Sequence, residues 1–475
     1  MTADRRAVLL LLDGARPDVF AHLAQAGDLP NISRHLLEPG GWAPATTVFP
    51  STTGVAYLPL LTGCYPGTCD VPGIRWVDVT RYGGRWWRDR AHVRSYCGYQ
   101  GGLLNADLRP GIASLFDLVP DAVGICTPFN RRLGPGRELA GGARKLWGGL
   151  AHYTAGYGVL ERAVGRALCR AVAGRPGFIF AVFPGVDGVT HFHDPWHPDV
   201  LDTYRGFDAI IGQYAQAGGF DGDHLTFLVS DHGLSRMDRH TDVALELEAM
   251  GLPTLRHPVV WRRDPVAAVM VSGNASCQVY LRPGVTRPAR HDVAEIEACA
   301  VPGIPGDLID RLVALPGVAL VVGTDHDGVT VAGREGRATL RGEGDTIAYL
   351  PDVADVLGLG DAATRADREW LAHTLDAPYP DAPTQLTQLF RSGRTGDLVV
   401  IAEPGADLRS DWEVPEHRSG HGSLIADHMR CLAAANVPLQ GPVRTVDVFP
   451  LILDWLGLEI PAGIDGVVPA VAVRA

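Results

Sequence analysis

The sequence predicts an α/β protein with a doubly wound, mostly parallel sheet, helices on both faces and a smaller inserted α+β section. Three observations carry that reading. Apolar runs without polar alternation recur along the chain, helix-period segments separate them, and three of the runs lead into an aspartate. A strand that is apolar at every position is buried on both faces, as strands are in a parallel sheet covered by helices.

The first run, Ala7 to Leu12, ends at Asp13. The second, Phe178 to Phe183, continues through Pro184, Gly185 and Val186 to Asp187, and the third, Leu225 to Val229, reaches Asp231 through Ser230. A fourth, Leu398 to Ala402, precedes the polar stretch containing His421 and is expected among the core strands. Between the second and third runs, Val200, Tyr204, Phe207, Ile211 and Tyr214 fall on one helix face. Near the end, Asp447 is placed to cap a helix carrying Val448, Leu451, Ile452, Trp455 and Leu456. Such alternation builds a doubly wound core, whose ligands lie beyond the carboxyl ends of its strands. The three aspartates stand at those ends. Residues 252–394 read differently, with alternating segments such as Gln278 to Leu281, Ala319 to Val322 and Gly328 to Val331. They are expected to form an inserted cap or accessory region, leaving 1–251 and 395–475 as the catalytic core.

Composition narrows the function. The 475 residues are 46% hydrophobic and 20% charged, and 54 acidic against 42 basic side chains leave a net charge of −12. That supports a large folded core and argues against a nucleic-acid scaffold, which carries a basic surplus. The opening apolar run breaks at Asp13 and no later run reaches the roughly 18 residues of a membrane span, so neither an export signal nor a membrane role is expected. Eight scattered cysteines read as reduced thiols of a cytoplasmic protein. A homodimer is compatible with the sequence, which fixes no oligomeric state.

Four clusters carry chemistry: Asp13-Gly14; Phe49-Pro50-Ser51-Thr52-Thr53-Gly54 followed by Leu61-Thr62-Gly63; Asp187-Gly188-Val189-Thr190-His191; and Ser230-Asp231-His232-Gly233 with Gly420-His421-Gly422. Carboxylates and imidazoles in this number exceed what one tetrahedral ion takes but suit a pair of divalent ions acting on a phosphoryl group. Thr52 and Thr53 each offer a nucleophilic hydroxyl at the start of a short helix-like run, and a neighbouring cation would lower its pKa. Each aspartate alone also reads as a turn residue or helix cap. The glycine and threonine between Asp187 and His191 favour a loop there. His421 has only its flanking glycines to mark it, with His417 and His428 as substitutes, and His193, His197 and His240 read as nearby loop residues.

Taken together, these motifs resemble the type I phosphodiesterase/nucleotide pyrophosphatase branch of the alkaline phosphatase superfamily, from Leu9-Leu10-Leu11-Leu12-Asp13-Gly14 to Thr445-Val446-Asp447-Val448-Phe449-Pro450. The resemblance implies an alkaline phosphatase-like fold and two divalent metals, zinc by the histidine content with manganese as an alternative. One would be held by Asp187, His191 and His421, the other by Asp13, Asp231 and His232 together with the threonine nucleophile. Counting back from Thr62-Gly63 places the family nucleophile on Thr53. The implied reaction is attack of Thr53 on phosphorus, followed by hydrolysis of a phosphothreonine. The implied substrates are a small phosphodiester, a nucleotide or a phosphonate, with a C–P hydrolase similar to phosphonoacetate hydrolase, or a phosphomonoesterase, as alternatives. A metal-stabilised binding protein without turnover is the non-enzyme alternative. The chain departs from eukaryotic members at Ile74, where they place an asparagine, and Arg75 beside it is expected to grip a phosphate oxygen instead.

Overall fold

Every side chain from Arg6 to Leu12 is buried, so this segment can only run through the middle of a sheet covered on both faces. The computed structural model describes residues 5–256, 264–410 and 416–469. Its first sheet holds β1 (Arg6–Leu12), β2 (Val123–Ile125), β3 (Glu138–Leu139), β4 (Phe178–Phe183) and β5 (His224–Val229) in the order β5-β1-β4-β2-β3. These strands are all parallel to their neighbours, and Ala433–Ala435 adds an antiparallel edge beside β5. In register, Leu9 lies opposite Phe180 on one side and Phe227 on the other. The helix Gly158–Ala173 packs on β4 and on the helix Pro198–Gln216, and Val448–Leu456 packs on β1. Within Pro198–Gln216 the expected stripe of Val200, Tyr204, Phe207, Ile211 and Tyr214 is buried.

A second sheet of nine strands begins at Thr254–Arg256 and ends at Ala363–Ala366. Leu398–Ala402, expected among the core strands, lies in this sheet, antiparallel to Ser276–Leu281 and Val318–Asp325. Its even apolar pattern reports burial on both faces, which the middle of either sheet provides. Leu398, Val400 and Ala402 fill one apolar core, while Val399 and Ile401 fill another. Asp447 stands at the cap position of Val448–Leu456, but its carboxylate accepts the backbone N–H groups of Arg444 and Val467 rather than one of the helix's own. No described helix is long and apolar enough to cross a membrane.

Candidate active site and metal centre

Three adjacent strands deliver three carboxylates to one rim. Asp13 follows β1 directly, Asp231 follows β5 after one serine, and Asp187 sits in the helix Gly185–Thr190 that starts two residues beyond β4. Backbone bonds lock the first two turns together: Asp13 N–H donates to Phe183 O at 3.0 Å and Asp187 N–H to Asp13 O at 3.0 Å. Gly14 is required at the first turn. Its φ is +71°, and a Cβ there would lie 2.5 Å from Leu234 Cδ1 and 2.9 Å from Asp187 Cα.

The loop expected at Asp187–His191 is a helix, which turns both side chains to the same face. His191 Nε2 lies 3.3 Å from Asp187 Oδ2, and His421 Nε2 lies 3.7 Å from Asp187 Oδ1. On the other side, His232 Nε2 lies 3.3 Å from Asp231 Oδ2 and 3.5 Å from Asp13 Oδ1. The rings of His232 and His421 stack at 3.8 Å, so the two groups of donors adjoin.

The three histidines share a hydrogen-bonding arrangement. His191 Nδ1 faces Ser419 O at 2.8 Å, His421 Nδ1 faces Ser51 O at 3.0 Å, and His232 Nδ1 faces Gly233 O at 3.1 Å. A carbonyl accepts only, so each Nδ1 carries a proton and each Nε2 is turned to the rim, where it offers a lone pair whenever the ring is neutral. Between them, Asp187 Oδ1 and Asp231 Oδ2 are buried and accept no hydrogen bond. Convergent carboxylate oxygens and imidazole nitrogens form a donor set that fits divalent cations. Asp187, His191 and His421 bring ligand atoms within 4.8 Å of one another, as do Asp13, Asp187 and His232. Asp187 belongs to both sets.

The electrostatics show the same need for positive charge. Burial, then the charges of Asp231 and Asp187, raise the Asp13 carboxyl well above the usual range. Burial, then Asp187, pushes Asp231 up to about 7. Burial acts on Asp187 in the same direction, but His191, His421 and His232 together outweigh it and hold this carboxyl well below the usual range. Burial, then His232, keeps His421 neutral far below its ordinary pKa. The rim therefore holds protons where cations would otherwise balance its charge.

Thr53 faces both His232 and Asp13. Its Oγ1 lies 3.0 Å from His232 Nε2 and 3.4 Å from Asp13 Oδ1. The Thr52 hydroxyl is buried and has no hydrogen-bond partner. The rim opens into a cavity of about 840 Å³ lined also by Arg75, His152 and His417.

The sequence model of type I phosphodiesterases/nucleotide pyrophosphatases matches residues 7–103 and 124–424. The chain belongs to this family. As a type I phosphodiesterase/nucleotide pyrophosphatase family member, it is a hydrolase of the alkaline phosphatase superfamily. Among solved structures, it is similar to phosphonoacetate hydrolase from Sinorhizobium meliloti 1021 in complex with phosphonoformate, with TM-score 0.57, 16% identity, and 95% of this chain and 96% of that one covered. It is also similar to human ectonucleotide pyrophosphatase/phosphodiesterase 5, with TM-score 0.57, 11% identity, and 98% and 97% covered. The murine counterpart gives 0.55, 12%, and 96% of each chain. A search among curated proteins found no match.

In this family member the structure brings together Asp13, Thr53, Asp187, His191, Asp231, His232 and His421, and it places Arg75 on the same cavity wall. The substitute His428 is occupied at both nitrogens, by Ser235 Oγ and Ser423 N. His417 stacks on His191 at 4.0 Å and meets Asn274 Nδ2 through Nδ1 at 2.9 Å, so it packs behind a donor. His240 pairs with Asp407, while His193 and His197 stack on each other at 4.0 Å. Two residues escaped the sequence reading. The Tyr57 hydroxyl donates to Asp13 Oδ2 at 2.5 Å, orienting that carboxylate, and its four-residue spacing from Thr53 was the available signal. Glu161 Oε1 accepts the Gly185 N–H at 2.8 Å and anchors the helix that bears Asp187, with nothing local in the sequence to mark it.

Proposed function

We propose that this enzyme is a two-metal phosphodiesterase/pyrophosphatase that hydrolyses a small phosphodiester through a phosphothreonine intermediate. The observation that carries the reading is the Thr53 hydroxyl facing His232 and Asp13 at the edge of two adjoining donor sets. Asp187, His191 and His421 would hold one divalent ion, and Asp13, Asp231, His232 and Thr53 the other, with zinc favoured by the imidazoles and manganese able to use the same ligands. Bound there, the ions supply a lowered hydroxyl pKa and charge stabilisation for the phosphoryl oxygens.

The chain's own residues do the rest. Thr53 Oγ forms a bond to phosphorus while the bond to the leaving oxygen breaks, and the leaving group departs with that electron pair. Water then displaces the threonine oxygen, which takes back a proton from that water as the phosphomonoester leaves. The carbonyls of Ser51, Ser419 and Gly233 keep the three imidazoles in the tautomer this requires. Arg75 would grip a non-bridging oxygen from the cavity wall, and Arg75→Ala should raise KM or lower kcat many-fold. Residues 252–394 would serve as an accessory region, since Gly273 and Asn274 reach the same cavity. All eight cysteines are free thiols, which supports a reducing, cytoplasmic setting.

The second reading is hydrolysis of a phosphonate C–P bond, favoured by the fold likeness to phosphonoacetate hydrolase. One experiment tests both. The purified enzyme is treated with chelator, reloaded with zinc or manganese, and assayed on a diester, a monoester, a nucleotide pyrophosphate and phosphonoacetate. Loss on chelation and recovery on reloading are expected, and chelator-resistant turnover would overturn the scheme.

A further inference from the structure

One segment of the cavity wall carries a feature the reaction at Thr53 does not use. Arg144–Gly148 forms a π-helical turn that runs into the helix Gly149–Thr154. Such widened turns occur often at functional sites. Arg144, Lys145, Gly148, Gly149, His152 and Tyr153 line the cavity, while Leu146, Trp147 and Leu150 on the other side of the turn face solvent.

Four basic side chains line this cavity: Arg75, Arg144, Lys145 and Arg409. Asp13 and Asp187, both on the rim, are the acidic residues that line it. That is an unusual wall for a protein with a net charge of −12. Arg409 is already paired with Asp407, at 3.4 Å, and Glu416. Among the described residues, neither Arg144 nor Lys145 has a carboxylate within ion-pair distance. The Nε of Arg144 is also buried without a hydrogen-bond partner. Lys145 is the only lysine in the chain, where arginine supplies every other basic side chain. An ammonium is a compact charge on a flexible stem, whereas a guanidinium is a rigid fork, and adjacent examples can hold one anion from two directions.

We propose that Arg144 and Lys145 form a subsite for a second anionic group, carried by the part of the substrate that does not react. The inference rests on the proposed phosphoryl or phosphonyl chemistry and adds the substrate class: small molecules bearing a carboxylate or a further phosphate beside the reacting phosphorus. Electrostatic demand then differs between the rim and this part of the wall. The rim takes the reacting group, and Arg144 and Lys145 take its anionic neighbour.

The test compares three substrates with the metal-loaded enzyme. Phosphonoacetate carries a carboxylate as its second anion, ATP carries phosphate, and bis(para-nitrophenyl) phosphate carries none. The wild type should show its highest kcat/KM on one of the first two, and which one identifies the anion. The double variant Arg144→Gln/Lys145→Met should raise KM on that substrate by about tenfold or more, the cost of lost charge-assisted hydrogen bonds. It should change the singly charged diester little. The charge-retaining variant Arg144→Lys/Lys145→Arg should recover most of the loss, which a merely structural role would not predict. Equal loss on all substrates, no loss on any, or a wild-type preference for the singly charged diester would overturn the subsite while leaving the proposed function standing. Absence of turnover on every substrate with metal present would instead overturn the proposed function and the subsite with it.

Discussion

Thr53 Oγ1 lies 3.0 Å from His232 Nε2, the one imidazole nitrogen in that ring left without a proton. The same hydroxyl is within 3.4 Å of Asp13, whereas Thr52, one residue earlier, faces neither. Thr53→Ala should therefore lower kcat by about a thousandfold or more while the protein still binds its metals. Thr52→Ala should keep most activity. Steady-state kinetics beside metal analysis of the purified variants checks both, and a Thr53→Ala enzyme with wild-type turnover would remove the nucleophile from the scheme.

His421 and His417 should separate cleanly. His421 presents Nε2 to Asp187, so His421→Ala should lose an ion from the purified protein. His417 stacks on His191, meets Asn274 through Nδ1 and belongs to neither donor set. His417→Ala should weaken metal affinity by about tenfold, as expected of a residue that orients a ligand. Competition titration against a chromophoric chelator measures the difference.

Glu161 gives a pH signature. Burial pushes its carboxyl up to about 8 from the ordinary 4.5, although the Gly185 N–H works against that shift. The folded protein thus keeps a proton that the unfolded chain has released. This group's contribution to stability is complete below about pH 4.5 and is lost as pH rises through about 8. Glu161→Gln keeps the acceptor for Gly185 and cannot ionise. Its Tm relative to wild type, measured on metal-depleted protein, should rise steadily between those two values. A constant difference would mean that Glu161 is not held protonated.

Gly14→Ala combines a left-handed backbone with a Cβ driven into Asp187. A loss of about 3 kcal/mol or more is expected, read as a lower denaturation midpoint. Relief of the clash would also move Asp187, so activity should fall even in protein that remains folded.

The aspartates were legible because a doubly buried strand running into a carboxylate is a local pattern, and β1, β4 and β5 each show it. Strand partners were not. Leu398–Ala402 has the same apolar signature as the core strands, and only its long-range pairing assigns it to the second sheet. The helix at Gly185–Thr190 was hidden by its composition. Glu161 accepts its first N–H, the Thr190 hydroxyl turns back to Val186 O at 2.6 Å, and Gly188 leaves room for the Tyr157 ring, where a Cβ would come within 2.0 Å. Tertiary contacts there override poor helix propensity. His421 was marked only by the family pattern, because what fixes it are the distant Ser51 carbonyl and a bridge to Asn274.

The neighbouring positions of β5, β1 and β4 have a consequence for assembly. No short stretch of the polypeptide can gather all three carboxylates by itself, because they meet only after β1 has aligned with strands 171 and 218 residues further along the chain. Until then the chain gathers like charges that repel, and a cation arriving afterwards acts as a clasp on an arrangement already in place. Scarcity of the ion would thus yield a correctly folded but loosened apoprotein, ready for rescue by the metal alone.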